Sequence, residues 1–160
     1  MKPEQKAINS ACRMLGIREH SEKQLRIKLT NKGYDKDDIN TAIKFLYEEN
    51  WLSNERFCES FVRSKKNKGQ GRVRVEQELA QHGVTRDIIN KTIDNDENDW
   101  QDICNQVLAK KIATYSLDCN KKINIESKMK LERFMRYRGF ETSEIKEAFS
   151  QQKNHKVTEI

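Results

Sequence analysis

The sequence predicts an all-α fold: three tandem three-helix repeats in an elongated, curved arrangement. Three observations carry that prediction. The chain of 160 residues is 35% hydrophobic and 35% charged, with one proline, Pro3, which suits thin amphipathic helices better than one large core. Apolar residues recur four apart, the spacing of one helical face, and no alternating strand pattern is present. Three glycines, Gly33, Gly83 and Gly139, punctuate the chain in equivalent surroundings, the mark of an internal repeat.

Each glycine follows an apolar residue at minus four (Leu29, Leu79, Met135) and another at minus eight (Leu25, Val75, Leu131). An apolar residue comes directly after it (Tyr34, Val84, Phe140), and more follow at plus six and plus ten: Ile39 and Ile43, Ile89 and Ile93, Ile145 and Phe149. Glycine just beyond a helix takes the left-handed conformation that ends it, and the apolar residue behind it folds back on the last turn. The next helix then starts at Asp35, Thr85 or near Thr142, residue types able to cap free N–H groups. Ser21 and Gln24 form a capping-box pattern at the start of the first glycine-terminated helix.

A further helix precedes each pair, marked by Cys12, Cys58 and Cys104 with Ala11, Phe57 and Ile103 before them and Leu15, Phe61 and Val107 after. A small apolar residue in a packed seam explains these cysteines better than a regulatory thiol. The repeats are therefore expected at 1–52, 53–98 and 99–150, with a flexible polar tail at 151–160. Trp51 and Trp100, at the boundaries, read as plugs between repeats. The acidic stretch 94–102 reads as a solvated joint in which Asp99 caps the following helix.

Several chemistries find no support. No apolar run reaches the roughly 18 residues of a membrane span, and the polar N-terminus is no signal peptide, so the cytoplasm is expected. The four cysteines form no CxxC pair and His20, His82 and His155 are scattered, so no metal is expected. No phosphate-cradling glycine motif and no nucleophile with its base is present. Neither a cofactor nor catalysis is expected, and His20 reads as packing beside the cap Ser21.

The formal charge is +6, and residues 63–74 hold six basic residues and no acidic one, leaving 25 of each sign elsewhere. Arg63, Lys65, Lys66, Lys68, Arg72 and Arg74 are thus a candidate surface for phosphates or an acidic protein face, with Gly69 and Gly71 letting the backbone approach a partner. The competing reading is a solvated helix end, where cations meet the negative end of the dipole. That reading covers Arg63 to Lys68 but not Arg72 and Arg74, which begin the next helix, so binding is preferred. A second basic stretch, 128–139, adds Lys128, Lys130, Arg133, Arg136 and Arg138, interleaved with Phe134 and Tyr137. Phe134 lies on the apolar stripe and is assigned to the core, whereas Tyr137 is left more open.

The segments "REHSEKQLRIKL" (18–29), "NWLSNERFCESFVRSKKNKGQGRVRVEQELAQHGV" (50–84) and "LERFMRYRGFETSEI" (131–145) resemble the signature segments of the RecX family of bacterial regulators. The resemblance runs in order from about residue 7 to residue 149. Gln70 and Arg72 stand where the family usually has an aromatic and a proline, and Asn50, which can also adopt a left-handed cap, stands where it commonly has glycine. The resemblance implies a small all-helical monomer that binds the RecA–DNA filament, touching single-stranded DNA directly or through it. It also implies inhibition of recombinase, ATPase and coprotease activities, and thereby an influence on repair and the SOS response. Arg63, Lys65, Lys66, Lys68, Arg72, Arg74, Arg136 and Arg138 are the expected contacts. The rival readings are a helix-turn-helix-like module that binds DNA non-specifically through its basic patch and a helical scaffold for an acidic protein.

Overall fold

A computed structural model describes residues 2–95, 99–119 and 123–155, except for the side chains of 115–119 and 153–155. The helices follow the expected order: α1 (Pro3–Leu15), α2 (Glu22–Asn31), α3 (Lys36–Glu48), α4 (Asn54–Asn67), α5 (Arg72–Gln81), α6 (Arg86–Asp94), α7 (Trp100–Cys119), α8 (Ile125–Arg138) and α9 (Thr142–His155). No strand occurs among the described residues. The chain forms two compact units, one from Met1–Val62 with Glu78–Asn95 and the other from Arg63–Gln77 with Asp96–Ile160. Their boundary falls inside α4 and α5.

In the first unit α1 packs mainly along α3, and α2 packs on both. Ala11, Leu25, Leu29, Ile39, Ile43, Leu46 and Leu52 form its core, and Ala7, Ile8 and Ala42 make a smaller seam. The core positions include the repeat positions picked out by spacing, because residues four apart share one helical face. Burying each leucine stabilises the fold by about 1.5–3 kcal/mol. The same pattern builds the core of the second unit from Cys104, Leu108, Ile112, Leu131, Met135, Phe140, Ile145 and Ala148, with α7 packed on α8 and α9.

All three glycine corners adopt the expected conformation, with φ of 85° at Gly33, 79° at Gly83 and 94° at Gly139. Each closes with the same two bonds. The glycine N–H donates to Thr30, Ala80 or Arg136, and the following N–H donates to Leu29, Leu79 or Met135. Asn50, with φ 55°, makes the same corner through Trp51 N–H to the Leu46 carbonyl at 2.8 Å.

The caps divide. Ser21 Oγ accepts from Gln24 N–H at 3.1 Å, and Asp99 Oδ1 accepts from Gln101 N–H at 2.8 Å. Asp35 and Thr85 occupy cap positions but make no side-chain cap bond, so residue type there did not translate into a bond. At the start of α9 the work is done from inside: the Glu144 carboxylate accepts from Glu141 N–H at 2.7 Å.

Cys58 and Cys104 are fully buried and Cys12 partly so. Burial pushes all three thiols up, that of Cys104 to about 12, which leaves little thiolate and fits the packing role. The Cys119 side chain lies outside the described residues. Trp100 is buried, but Trp51 is 51% exposed and is no plug. α9 continues to His155, carrying helix into the segment expected as a tail; 156–160 and residues 96–98 of the acidic stretch lie outside the described residues.

Candidate functional site

The basic segment runs over the end of α4, a short loop and the start of α5, and it belongs to the second unit. α4 ends in another left-handed corner at Gly69, φ 66°, where Gly69 N–H donates to Lys66 and Gln70 N–H to Lys65. Beyond it the backbone meets the end of α8. Gly71 N–H donates to the Arg138 carbonyl at 2.8 Å, and Val73 N–H donates to the Gly139 carbonyl at 3.1 Å. Arg138 Nη1 donates in return to the Lys68 carbonyl at 2.6 Å.

Three helix ends therefore meet: the C-termini of α4 and α8 and the N-terminus of α5. Each leaves backbone groups without partners inside its own helix, and the docking pairs several of them. The close approach requires glycine. A Cβ on Gly71 would strike the Gly139 carbonyl, one on Gly139 would strike Arg74, and one on Gly69 would strike Val107. The glycines expected to admit a partner thus admit another part of the same chain.

The electrostatics change accordingly. The first turn of α5 has no acidic residue, and cations at a helix N-terminus are normally unfavourable. Here that end faces the negative end of α8. Arg74 Nη1 donates to the Tyr137 carbonyl at 3.4 Å, and its guanidinium carbon lies 5.3 Å from the Tyr137 ring centre. Arg72 Nε pairs with Glu76 at 2.7 Å one turn along α5. The position of Arg72 and Arg74 thus has an internal explanation, and an unfavourable helix end no longer selects a binding role by itself.

The eight sequence-picked cations fall into two groups. Arg63, Lys68 and Arg136 are exposed, and Lys65 is partly buried. Lys66 is buried with its Nζ 4.3 Å from the Trp100 ring centre, while Arg72, Arg74 and Arg138 make the contacts just described. The two basic stretches, far apart in sequence, converge on this junction. Along α8, Lys128 and Lys130 pair with Glu132 and Glu126, Phe134 packs on the core as expected, and Tyr137 is exposed.

Sequence reasoning missed Lys110 and Lys111 on α7. Together with Lys66, Lys68 and Arg138 they line one cavity. Their signal was an adjacent basic pair inside "LAKKIA", and only the packing of α7 on α8 shows that it faces the other cations. Among the described residues no helix is long and apolar enough to cross a membrane, and no group of three or more His, Cys, Asp or Glu could hold a metal.

Fold and site define an all-helical protein of three-helix units whose excess positive charge is gathered at one junction. Residues 7–46 match the family model for "RecX, first three-helix domain", and residues 53–93 match "RecX, second three-helix domain". The chain is 37% identical over 134 residues to "Regulatory protein RecX" of Actinobacillus pleuropneumoniae serotype 5b, covering 84% of each. It is 33% identical over 146 residues to the protein of that name from Haemophilus influenzae strain 86-028NP, covering 91% of this chain and 93% of the relative. The crystal structure of RecX from Lactobacillus salivarius superposes with a TM-score of 0.77 at 18% identity, covering 93% of this chain and 96% of the other. The chain belongs to the RecX family of regulatory proteins.

Proposed function

We propose that this protein acts in the cytoplasm as a monomer that binds RecA–DNA filaments and restrains their recombinase, ATPase and coprotease activities. Through them it tempers DNA repair and the SOS response. The observation that carries the reading, beside family membership, is the convergence of two basic stretches on one junction of a chain otherwise balanced in charge. Arg63, Lys68 and Arg136 present the exposed charge, and Lys65, Lys66, Arg72, Arg74 and Arg138 hold or flank the backbone that positions it. A positive patch of this kind attracts a polyanionic filament from a distance and sets orientation on contact.

The test is RecA ATPase on excess single-stranded DNA, titrating this protein from far below stoichiometric amounts. Inhibition at low ratios means action on the filament, because so little protein does not mask the DNA. Inhibition only at DNA saturation would favour the rival DNA-binding module, whose affinity for duplex DNA would fall with salt at a log–log slope of roughly −3 for three phosphate contacts. The triple variant Arg63→Ala, Lys68→Ala, Arg136→Ala removes the exposed charge and spares the side chains that hold the junction. Full inhibition by that variant would show that the junction is not the contact surface.

A further inference from the structure

The second unit holds a cavity of about 660 Å³ between the end of α4, α7 and α8. Lys68, Lys110, Lys111 and Arg138 line it, as does Lys66, otherwise buried at 7% exposure. Ile103, Val107 and Phe134 supply an apolar base, since all three are half-buried against the core. Asp99 and Asp102, at the start of α7, line it as well. At 1.5 Å per residue, Asp102 and Lys110 lie roughly 12 Å apart along the helix. The lining is therefore mixed: at the start of α7 the carboxylates of Asp99 and Asp102 share it with Lys66, whose Nζ lies over the Trp100 ring, while Lys110 and Lys111 lie two turns along, beside the apolar strip.

That mixed lining discriminates between anionic ligands. A single strand of nucleic acid needs an unbroken cationic track and open aromatic faces on which bases stack. Asp99 and Asp102 interrupt the track. The one aromatic ring lining the cavity among the described residues, Phe134, already has Lys111 Nζ at 4.9 Å and the Arg138 guanidinium carbon at 5.3 Å from its centre. An acidic polypeptide meets every feature: its carboxylates pair with the lysines, an apolar side chain covers the strip, and its backbone N–H groups face the aspartates.

We propose that this cavity docks an acidic segment of a partner protein, seating one apolar side chain on Ile103 and Val107 and its carboxylates on Lys110 and Lys111. The assignment shares Lys68 with the exposed surface proposed above, but it rests on Lys110 and Lys111, which that surface does not include.

The test uses the full chain and three labelled probes, read by fluorescence anisotropy: a short Asp/Glu peptide with one central leucine, the same peptide with serine for leucine, and a single-stranded oligothymidylate of similar charge. The leucine peptide binds, and binds more tightly than the serine peptide. Lys110→Glu weakens it by about tenfold or more, as expected for reversing a charge at a recognition site. Lys110→Gln, milder on the fold, weakens it less but in the same direction, with an unchanged circular dichroism spectrum as the control. Oligothymidylate neither displaces the peptide nor loses affinity through Lys110→Glu. Displacement by oligothymidylate would make the cavity a nucleic-acid site and overturn the proposal. So would indifference of the peptide to both Lys110 variants, equal binding of the two peptides, or no peptide binding at all.

Discussion

Gly33 and Gly139 hold the same place in the repeat and nearly the same backbone, with φ of 85° and 94°. Around Gly33 a Cβ would meet nothing within 4 Å, whereas around Gly139 it would collide with the backbone and side chain of Arg74. Gly83 stands between them, its missing Cβ 3.1 Å from that of Lys23. One sequence signal thus covers two different demands. At Gly33 glycine answers only to its own φ; at Gly139 it also answers to a neighbouring segment that has docked on the helix end. The repeat supplies three equivalent corners, and one of them has become a joint.

The sharpest way to break this comparison is alanine at both corners. Gly139→Ala combines the cost of a left-handed alanine, about 1 kcal/mol, with a backbone clash costing a further 1–3 kcal/mol. It should therefore lower the unfolding free energy in urea by about 2–4 kcal/mol. Gly33→Ala should cost only about 1 kcal/mol. Equal losses would mean that the α5–α8 contact is not part of the native state in solution.

Caps give a finer contrast. Ser21→Ala removes a bond to Gln24 N–H and should cost about 1 kcal/mol, while Thr85→Ala, where the side chain makes no cap bond, should cost a few tenths. Chemical denaturation resolves the difference, and a reversed order would show that the caps were misassigned.

The smallest effect is a pH dependence in the first unit. His20 is buried, and its Nδ1–H donates to the Arg18 carbonyl at 2.9 Å. Burial holds its pKa below the ordinary 6.5, reinforced by the charges of Arg18 and Lys28 and opposed by that hydrogen bond. A group whose folded pKa is depressed takes up protons first in the unfolded chain. Its contribution is therefore intact above pH 6.5 and is lost as pH falls from there through the lower folded value. The melting temperature should fall on acidification across that window. The fall should be smaller in His20→Gln, and an equal fall would place the titration elsewhere.

Legibility in the sequence followed the range of the physics. The corners at Gly33, Gly83 and Gly139 could be read because a left-handed residue four past the last buried position, with an apolar residue directly after it, is a local requirement. The cores could be read for the same reason, since Leu25 with Leu29 and Leu131 with Met135 declare a face. Asp35 and Thr85 are residue types able to cap, yet neither makes a side-chain cap bond, because such a bond depends on a rotamer that residue type does not fix. The boundary position of Trp51 predicts a plug between repeats, but its surroundings leave half of it exposed. At the site, the residues were legible and their arrangement was not. Nothing near Arg72 announces that the positive end of α5 rests on the negative end of α8, and nothing near Lys110 announces which cations it faces.

The docking of the α4–α5 loop on α8 also orders events in time. Arg74 and Tyr137 are 63 positions apart, so a ribosome adding about 5–20 residues per second needs roughly 3–13 s between them. Throughout that interval the glycine loop has been made and its carbonyl partners have not. The α4–α5 segment of the nascent chain must wait, its first-turn N–H groups held by water, until Arg138 and Gly139 have been made.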